Sequence, residues 1–296
     1  NSFLSNFTIQ NGQTMYSNPG NNNAGAGLFI EHSTLKADNL IIKNNYAGVL
    51  GGGIWVEAGY DIIFSNITVT ENSIGNNFNY GSGIYLYNSN NTKIMNMYLY
   101  NNNGVGIYID RSNPIIINST ISDNEIGMYI DYDGKPTLVN SVIWNNSISS
   151  IASSYYEDNA ITISYSNIEG GFEGIEEESG ILDINWLEGN INDDPMFVDI
   201  VNYNYNLDEN SPCINSGNSN LWYADLDGSL ADMGYTGGSF LFSNFTEHDF
   251  GEVGDIASQF NLEIYNFRLE PITINSVSFT NNSFLTNTDF PITIGY

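Results

Sequence analysis

Three aspartates stand where carboxylate chemistry is easiest to imagine. Asp110 closes the phrase GIYID, Asp131 closes GMYID 21 residues later, and Asp133 follows two residues on. Stacked copies of the phrase put Asp110 beside Asp131, and oxygen ligands so grouped suit Ca²⁺, or act as acid and base in a glycoside hydrolase. Aspartates in such places also often do no more than solvate a turn. A second acidic group, Asp225, Asp227 and Asp232 in DLDGSLAD, offers another Ca²⁺ loop, although the full spacing of an EF-hand is missing. Ca²⁺ is the one cofactor these residues point to.

The same phrase carries an aromatic row. A glycine followed by a short apolar run recurs as GLFI from Gly27, GIWV from Gly53, GIYL from Gly83, GIYI from Gly106 and GMYI from Gly127. In a strand, successive side chains alternate, so if Ile54 and Val56 point inward, Trp55 points outward, as do Phe29, Tyr85, Tyr108 and Tyr129. Two residues further on, the same side carries Glu31, Glu57, Tyr87, Asp110 and Asp131. Aromatic faces stack on the C–H faces of sugars and carboxylates accept their hydroxyls, so an exposed row of this kind could bind a neutral glycan. The competing expectation is that the rings stack on one another beneath the insertions at 13–26 and 73–82.

Other chemistries find little support. A uronate lyase needs a basic residue to take the C5 proton, yet the repeats offer only Lys36, Lys43, Lys93, Lys135 and Arg111, and Arg111, which follows Asp110, has no second arginine or lysine at the matching place in an adjacent copy. His32 and His248 are far apart, and no Ser-His-Asp or zinc spacing occurs. Cys213 is the one cysteine, so no disulfide forms within the chain. A formal charge of -28 disfavours nucleic acid, anionic membranes and polyanionic substrates, leaving neutral glycans, cations and basic partners.

The elements that must position these residues are written as a repeat. Asn-x-x-apolar-x-polar-Asn, with Gly closing the first copy, appears at 6–12, 39–45, 66–72, 96–102, 118–124 and 140–146. Its apolar anchors Ile9, Ile42, Val69, Leu99, Ile121 and Ile143 are 33, 27, 30, 22 and 22 residues apart, with a degraded copy at Ile168. With the glycine-led run and a third run such as DIIF, TKIM, PIII or PTLV, each period holds three strands and no helix. One such unit cannot bury its apolar face, but coils stacked about 4.8 Å apart turn each apolar position into a ladder. The expected fold is an all-β parallel solenoid. Asparagine at its corners tolerates left-handed backbone and can bond to the Asn of the next coil. Glycine at 53, 83, 106 and 127 is expected where φ is positive or backbones approach closely.

Chain length and 41% hydrophobic content allow a large core, and no apolar run reaches the roughly 18 residues a spanning helix needs, so direct membrane insertion is not expected. Asn1 already lies inside a repeat, which reads as a piece of a longer chain. Sequons such as Asn66-Ile67-Thr68 sit at structural corners and are not expected to carry glycans.

On these repeats the chain resembles the right-handed parallel β-helix proteins secreted by bacteria, a fold shared with pectate lyases and polymorphic outer-membrane proteins. The resemblance covers roughly residues 1–170 and implies fold more than function, since that helix carries lyases, hydrolases, tailspikes and non-catalytic adhesins. The stretch DDPMFVD to DMGYTGG (193–238) is similar to the segment that closes many such surface helices ahead of their anchors, and implies a C-terminal cap, here without an arginine after Asp227-Gly228. From residue 244 the alternation at Phe260, Leu262, Ile264, Ile272 and Ile274 is similar to the first half of an immunoglobulin-like module. The expected domains are therefore β-helix repeats over 1–192, a capping segment over 193–240 and a partial immunoglobulin-like module over 241–296.

The function expected is a secreted or cell-surface, non-catalytic adhesion or scaffold module that binds a neutral glycan or other cell-surface component on Phe29, Trp55, Tyr85, Tyr108, Tyr129, Glu31 and Glu57. A polysaccharide lyase or glycoside hydrolase is the rival. A filament subunit associating end to end is the third reading, because solenoid ends leave strand edges open.

Overall fold

The computed structural model describes residues 2–14, 25–75, 81–155, 158–177, 182–243, 261–268, 270–278 and 285–295. The chain divides into two units, Asn1–Ser239 and Phe240–Tyr296. The first is a parallel β-solenoid. One sheet of thirteen strands has two arms, joined because the long strand Leu35–Lys43 pairs with Ile63–Ser65 through its first half and with Thr68–Thr70 through its second. Below that junction the arms separate. The first arm continues through Lys93–Met95, Ile115–Ile117, Thr137–Val139, Ala160–Ser164 and Asp183–Trp186; the second through Tyr98–Tyr100, Thr120–Ser122, Val142–Trp144 and Asn167–Ile168. The third face is a seven-stranded sheet built from the glycine-led runs, from Leu28–Glu31 through Ile54–Glu57, Ile84–Tyr87, Val105–Asp110 and Ile126–Asp131 to Ser149–Ser153 and Glu176–Glu177.

The alternation read from the repeats sets which side is core. Leu40, Ile42, Ile67, Val69, Met97, Leu99 and Ile121 are fully or almost fully buried, and Ile54, Val56, Ile84, Leu86, Ile107 and Ile109 meet them from the third sheet. Among the described residues, helix is confined to single 3₁₀ turns such as Phe172–Gly174.

The corner asparagines divide two tasks between neighbours. The first residue of each motif is left-handed, with φ near 50° at Asn39, Asn66, Asn96 and Asn140, and so is the sixth, at Asn44, Glu71, Asn101, Asp123 and Asn145. The seventh is not left-handed but forms a ladder: Asn45, Asn72, Asn102 and Asn124 each donate from Nδ2 to the Oδ1 of the next, ending at Asn146, over 3.0–3.2 Å. The glycines at 53, 83, 106 and 127 lie against this ladder. None has a positive φ; a Cβ on Gly53 would sit 2.7 Å from Gly83 O and 2.9 Å from Asn72 Nδ2, so close approach alone demands glycine. A second ladder, of serines, runs at another corner, where Ser119 and Ser141 N–H groups donate to Ser141 and Ser166 Oγ.

The segment 193–239 departs from its expected place. Instead of lying across the C-terminal end, it runs back along the outer side of the second arm. Asn167 Nδ2 meets Asp193 O and Cys213 Sγ, Asn140 Oδ1 accepts from Asn218 N, Asn118 Nδ2 donates to Asp232 O, and Asn96 Nδ2 donates to Gly237 O. Three of these, Asn96, Asn118 and Asn140, are left-handed corner residues that present their amides outward, and the segment takes them coil after coil. Val142, Cys213 and Met233 form a small core beneath it.

In the second unit, Leu241–Ser243 pairs antiparallel with Ile264–Asn266 and Ile272–Ile274 with Ile292–Ile294. Residues 244–260, with His248 and Phe260, lie outside the described residues.

Candidate binding face on the third sheet

The third sheet brings the predicted aromatic row together in register: Phe29 pairs with Trp55, Trp55 with Tyr85, Tyr85 with Tyr108 and Tyr108 with Tyr129. The facing is as the alternation requires, because Ile54 and Val56 belong to the main core whereas Trp55, Tyr85 and Tyr108 belong to a separate cluster with Val105. Of the two expectations, an exposed row and rings stacked on one another, the second is the one found. Trp55, Tyr85 and Tyr108 are only 4%, 7% and 4% exposed, while Phe29 at 41% is the open end of the stack. Parallel strands hold consecutive rings about 5 Å apart, so each covers the next: Tyr85 stacks on Tyr108 and Tyr108 on Tyr129 with centroids 5.0 Å apart. The insertions that were expected to shelter the rings lie largely outside the described residues.

The acidic row is coupled to the rings by a diagonal bond. Tyr85 Oη donates to Asp110 Oδ2 at 3.0 Å, and Tyr108 Oη to Asp131 Oδ2 at 2.6 Å. Asp110 also accepts from Arg111 at 2.9 Å, and the guanidinium lies over the Tyr132 ring. Burial pushes the Asp110 carboxyl up, against the Tyr85 hydrogen bond and the Arg111 charge, with Asp131 adding to the rise. The Tyr108 hydroxyl is raised strongly by burial and by Asp131. Burial also raises Glu57, helped by Glu31 beside it and opposed by His32.

The proposed metal ligands are spoken for differently. Asp133 turns away to pair with Lys135. Asp225 accepts backbone N–H groups from Asp232 and Gly238, Asp227 accepts from Ser229 N and Oγ, and Asp232 accepts from Asn215 N at 2.7 Å. These bonds fold the loop on itself. Among the described residues, no group of three or more His, Cys, Asp or Glu is placed to hold a metal ion.

A second aromatic cluster was not anticipated. Tyr98 stacks on Tyr235 at 4.5 Å, lies edge-on to Tyr205 and donates to Tyr203 O, while Tyr100 packs against Tyr203 and Tyr205. The alternation in YLY places Tyr98 and Tyr100 outward around Leu99; what covers them could not be read, because the partners come from an aperiodic segment more than a hundred residues away.

Residues 65–210 match the family described as the right handed beta helix region. The solenoid is accordingly a right-handed parallel β-helix. Among solved structures, the crystal structure of pectate lyase Pel9A matches at 13% identity and a TM-score of 0.31, covering 77% of this chain and 87% of that one. No curated protein sequence matches the chain. Among the described residues, no helix is long and apolar enough to cross a membrane.

Proposed function

We propose that this chain is an extracellular, non-catalytic β-helix that serves as a rigid scaffold or adhesion module and contacts neutral glycan at the open end of its aromatic stack. The observation that carries the reading is the pair of diagonal bonds from Tyr85 to Asp110 and from Tyr108 to Asp131. A hydrolase needs two carboxylates free to exchange protons with substrate and water. Here the best-placed carboxylates are buried and bound to tyrosines, which stiffens the stack and removes them from solvent. The following unit is read as the start of an immunoglobulin-like module, supported by its two antiparallel ladders. The test is a glycan array run beside assays for new reducing ends and for unsaturated products. Binding without either product is the expected result; product formation lost in Asp110→Asn or Asp131→Asn would establish the lyase or hydrolase reading instead.

End-to-end association is a second reading. Strand Ser2–Gln10 pairs with Leu35–Lys43 and carries Phe3 and Phe7 more than half exposed, apolar surface that a second copy could cover. Sedimentation of Phe3→Lys with Phe7→Lys against the parent tests it, the parent alone being expected to associate.

A further inference from the structure

Where the segment 193–239 crosses the second arm of the sheet, five tyrosines meet. Tyr98 and Tyr100 point outward from one strand with centroids 4.2 Å apart, Tyr203 and Tyr205 come from the turn and strand around Asn204–Leu207, and Tyr235 from the loop beyond. Tyr98 lies 5.2 Å from Tyr205 and 4.5 Å from Tyr235, and Tyr100 lies 5.3 Å from Tyr203 and 5.5 Å from Tyr205. The cluster reaches the surface at Tyr203, which is 41% exposed. Burial raises the hydroxyls of Tyr98, Tyr100, Tyr205 and Tyr235, so an electron leaves these rings only together with a proton. A base for such a proton is in place, because Tyr205 donates to the Asp123 carboxylate.

We propose that Tyr98 and Tyr235 form an oxidative coupling site, at which a dityrosine bond ties the segment 193–239 covalently to the helix. Of the five ring contacts above, theirs is the most nearly parallel, at 8°. It also joins two parts of the chain that no disulfide can join, since Cys213 is the one cysteine. Tyr235 sits in a loop between Gly234, at φ 104°, and Gly237, where a ring turns edge-on to its neighbour more easily than one fixed on a strand. The oxidant is of the class that acts one electron at a time, a haem peroxidase with hydrogen peroxide. Each phenol loses one electron and one proton, a carbon–carbon bond forms between the Cε atoms beside the two hydroxyls, and the hydrogen displaced from each carbon restores its hydroxyl. One peroxide takes up the two electrons and two protons and leaves as two waters. On the third sheet, Tyr85 and Tyr108 are only 7% and 4% exposed and are held on strands, so they do not compete for the oxidant. The inference goes beyond the scaffold reading and stands whether or not the third sheet binds glycan.

The test treats the full chain, kept dilute to suppress coupling between chains, with a haem peroxidase and hydrogen peroxide. A parallel sample is photo-oxidised with ruthenium tris-bipyridine and persulfate, which needs no enzyme contact. The expected product is a monomer lighter by two hydrogen atoms, with dityrosine emission and, on peptide mapping, one linked pair containing Tyr98 and Tyr235. Tyr98→Phe and Tyr235→Phe keep both rings and the docking of the segment but supply no second phenol, so neither is expected to form the link. Tyr129→Phe, on the third sheet, is expected to couple as the parent does. In the linked chain, labelling of the buried Cys213 thiol is expected to slow by about tenfold or more, because the segment that covers it can no longer lift away. The melting temperature should rise, since a bond across more than a hundred residues restricts the unfolded chain. No dityrosine in the monomer under either oxidant would overturn the proposal. So would a link mapped to another pair, such as Tyr98 with Tyr100 or Tyr108 with Tyr129, a link that persists in Tyr235→Phe, or a link that leaves Cys213 labelling unchanged.

Discussion

Asn102 Oδ1 accepts two hydrogen bonds from a single residue of the coil before it, one from Asn72 N at 3.1 Å and one from Asn72 Nδ2 at 3.0 Å. Its own Nδ2 donates to Val69 O and to Asn124 Oδ1, both at 3.1 Å. Every polar atom of the buried amide is used, and Asn45 and Asn72 make the same pair of Nδ2 bonds, to Ile9 O and Ile42 O and to the next amide.

Replacing Asn102 by Ala orphans the Asn72 N–H groups and the Val69 carbonyl, and is expected to cost at least about 2 kcal/mol in denaturant unfolding. Asn102→Asp should be no better, because a carboxylate cannot donate to Val69 O. The neighbouring residue gives the contrast: Asn101 has φ 53° and bonds through its backbone, so Asn101→Gly should stay within about 0.5 kcal/mol of the parent. If the two positions proved equally sensitive, the division of tasks at this corner would be wrong.

Leu99 is fully buried between Val69 and Ile121 of the coils on either side, whereas Thr68 faces outward beside Tyr98. Truncating Leu99 to Ala should cost about 2–5 kcal/mol as a cavity. Thr68→Lys should be tolerated, its stem lying along the sheet with the ammonium in water. Thermal melts that ranked Thr68 as the sensitive position would invert the facing of the second arm.

Acidification should stabilise this chain over the range where most proteins begin to weaken. Asp110, Asp225, Asp232 and Glu57 are all raised above their ordinary values, chiefly by burial. A carboxyl raised in the folded state binds its proton more tightly there than in the unfolded chain. Its stabilising contribution is present below the unfolded value and is lost as pH rises through the folded one. Relief of the -28 charge acts in the same direction. The melting temperature is expected to rise as pH is lowered into the range just above the ordinary carboxylate value of about 4, and Asp110→Asn should flatten part of that rise. A melting temperature that fell over this window would show that these carboxylates are stabilised as anions.

The solenoid was legible because its signal is periodic: the anchors Ile42, Val69, Leu99, Ile121 and Ile143 recur with the alternation that buries them. The direction of the aromatic row was legible for the same reason. Its burial was half read: stacking of the rings on one another was one of two expectations, and it is the one found, but the choice depends on neighbouring coils, and the bond from Tyr108 to Asp131 depends on a register set by the length of each coil. The corner glycines were half read; close approach at Gly53 was one of two physical reasons open, and only the backbone of the next coil decides between them. The arm was missed as a class, since 193–239 has no period and its partners, Asn96, Asn118 and Asn140, had already been explained as corners.

The course of that arm makes Cys213 a reporter. The thiol is buried against Val142 and Met233, accepts from Asn167 Nδ2 at 3.1 Å, and is pushed up by burial, so it is neither accessible nor readily ionised while the arm is docked. Labelling by a thiol reagent needs the thiolate and an open path to it. Native chain is therefore expected to label at least about 100-fold more slowly than denatured chain, an opening free energy of about 2.7 kcal/mol. Tyr98→Ala removes the ring on which Tyr235 stacks with an interplanar angle of 8°, and so should speed labelling without unfolding the helix. Tyr108→Phe, on the third sheet, should leave the rate unchanged. Because the chain has one cysteine, the label has a single source. Labelling of native chain as fast as denatured chain, or equal acceleration by both substitutions, would mean that the arm is not held along the second arm of the sheet by the contacts at Tyr98.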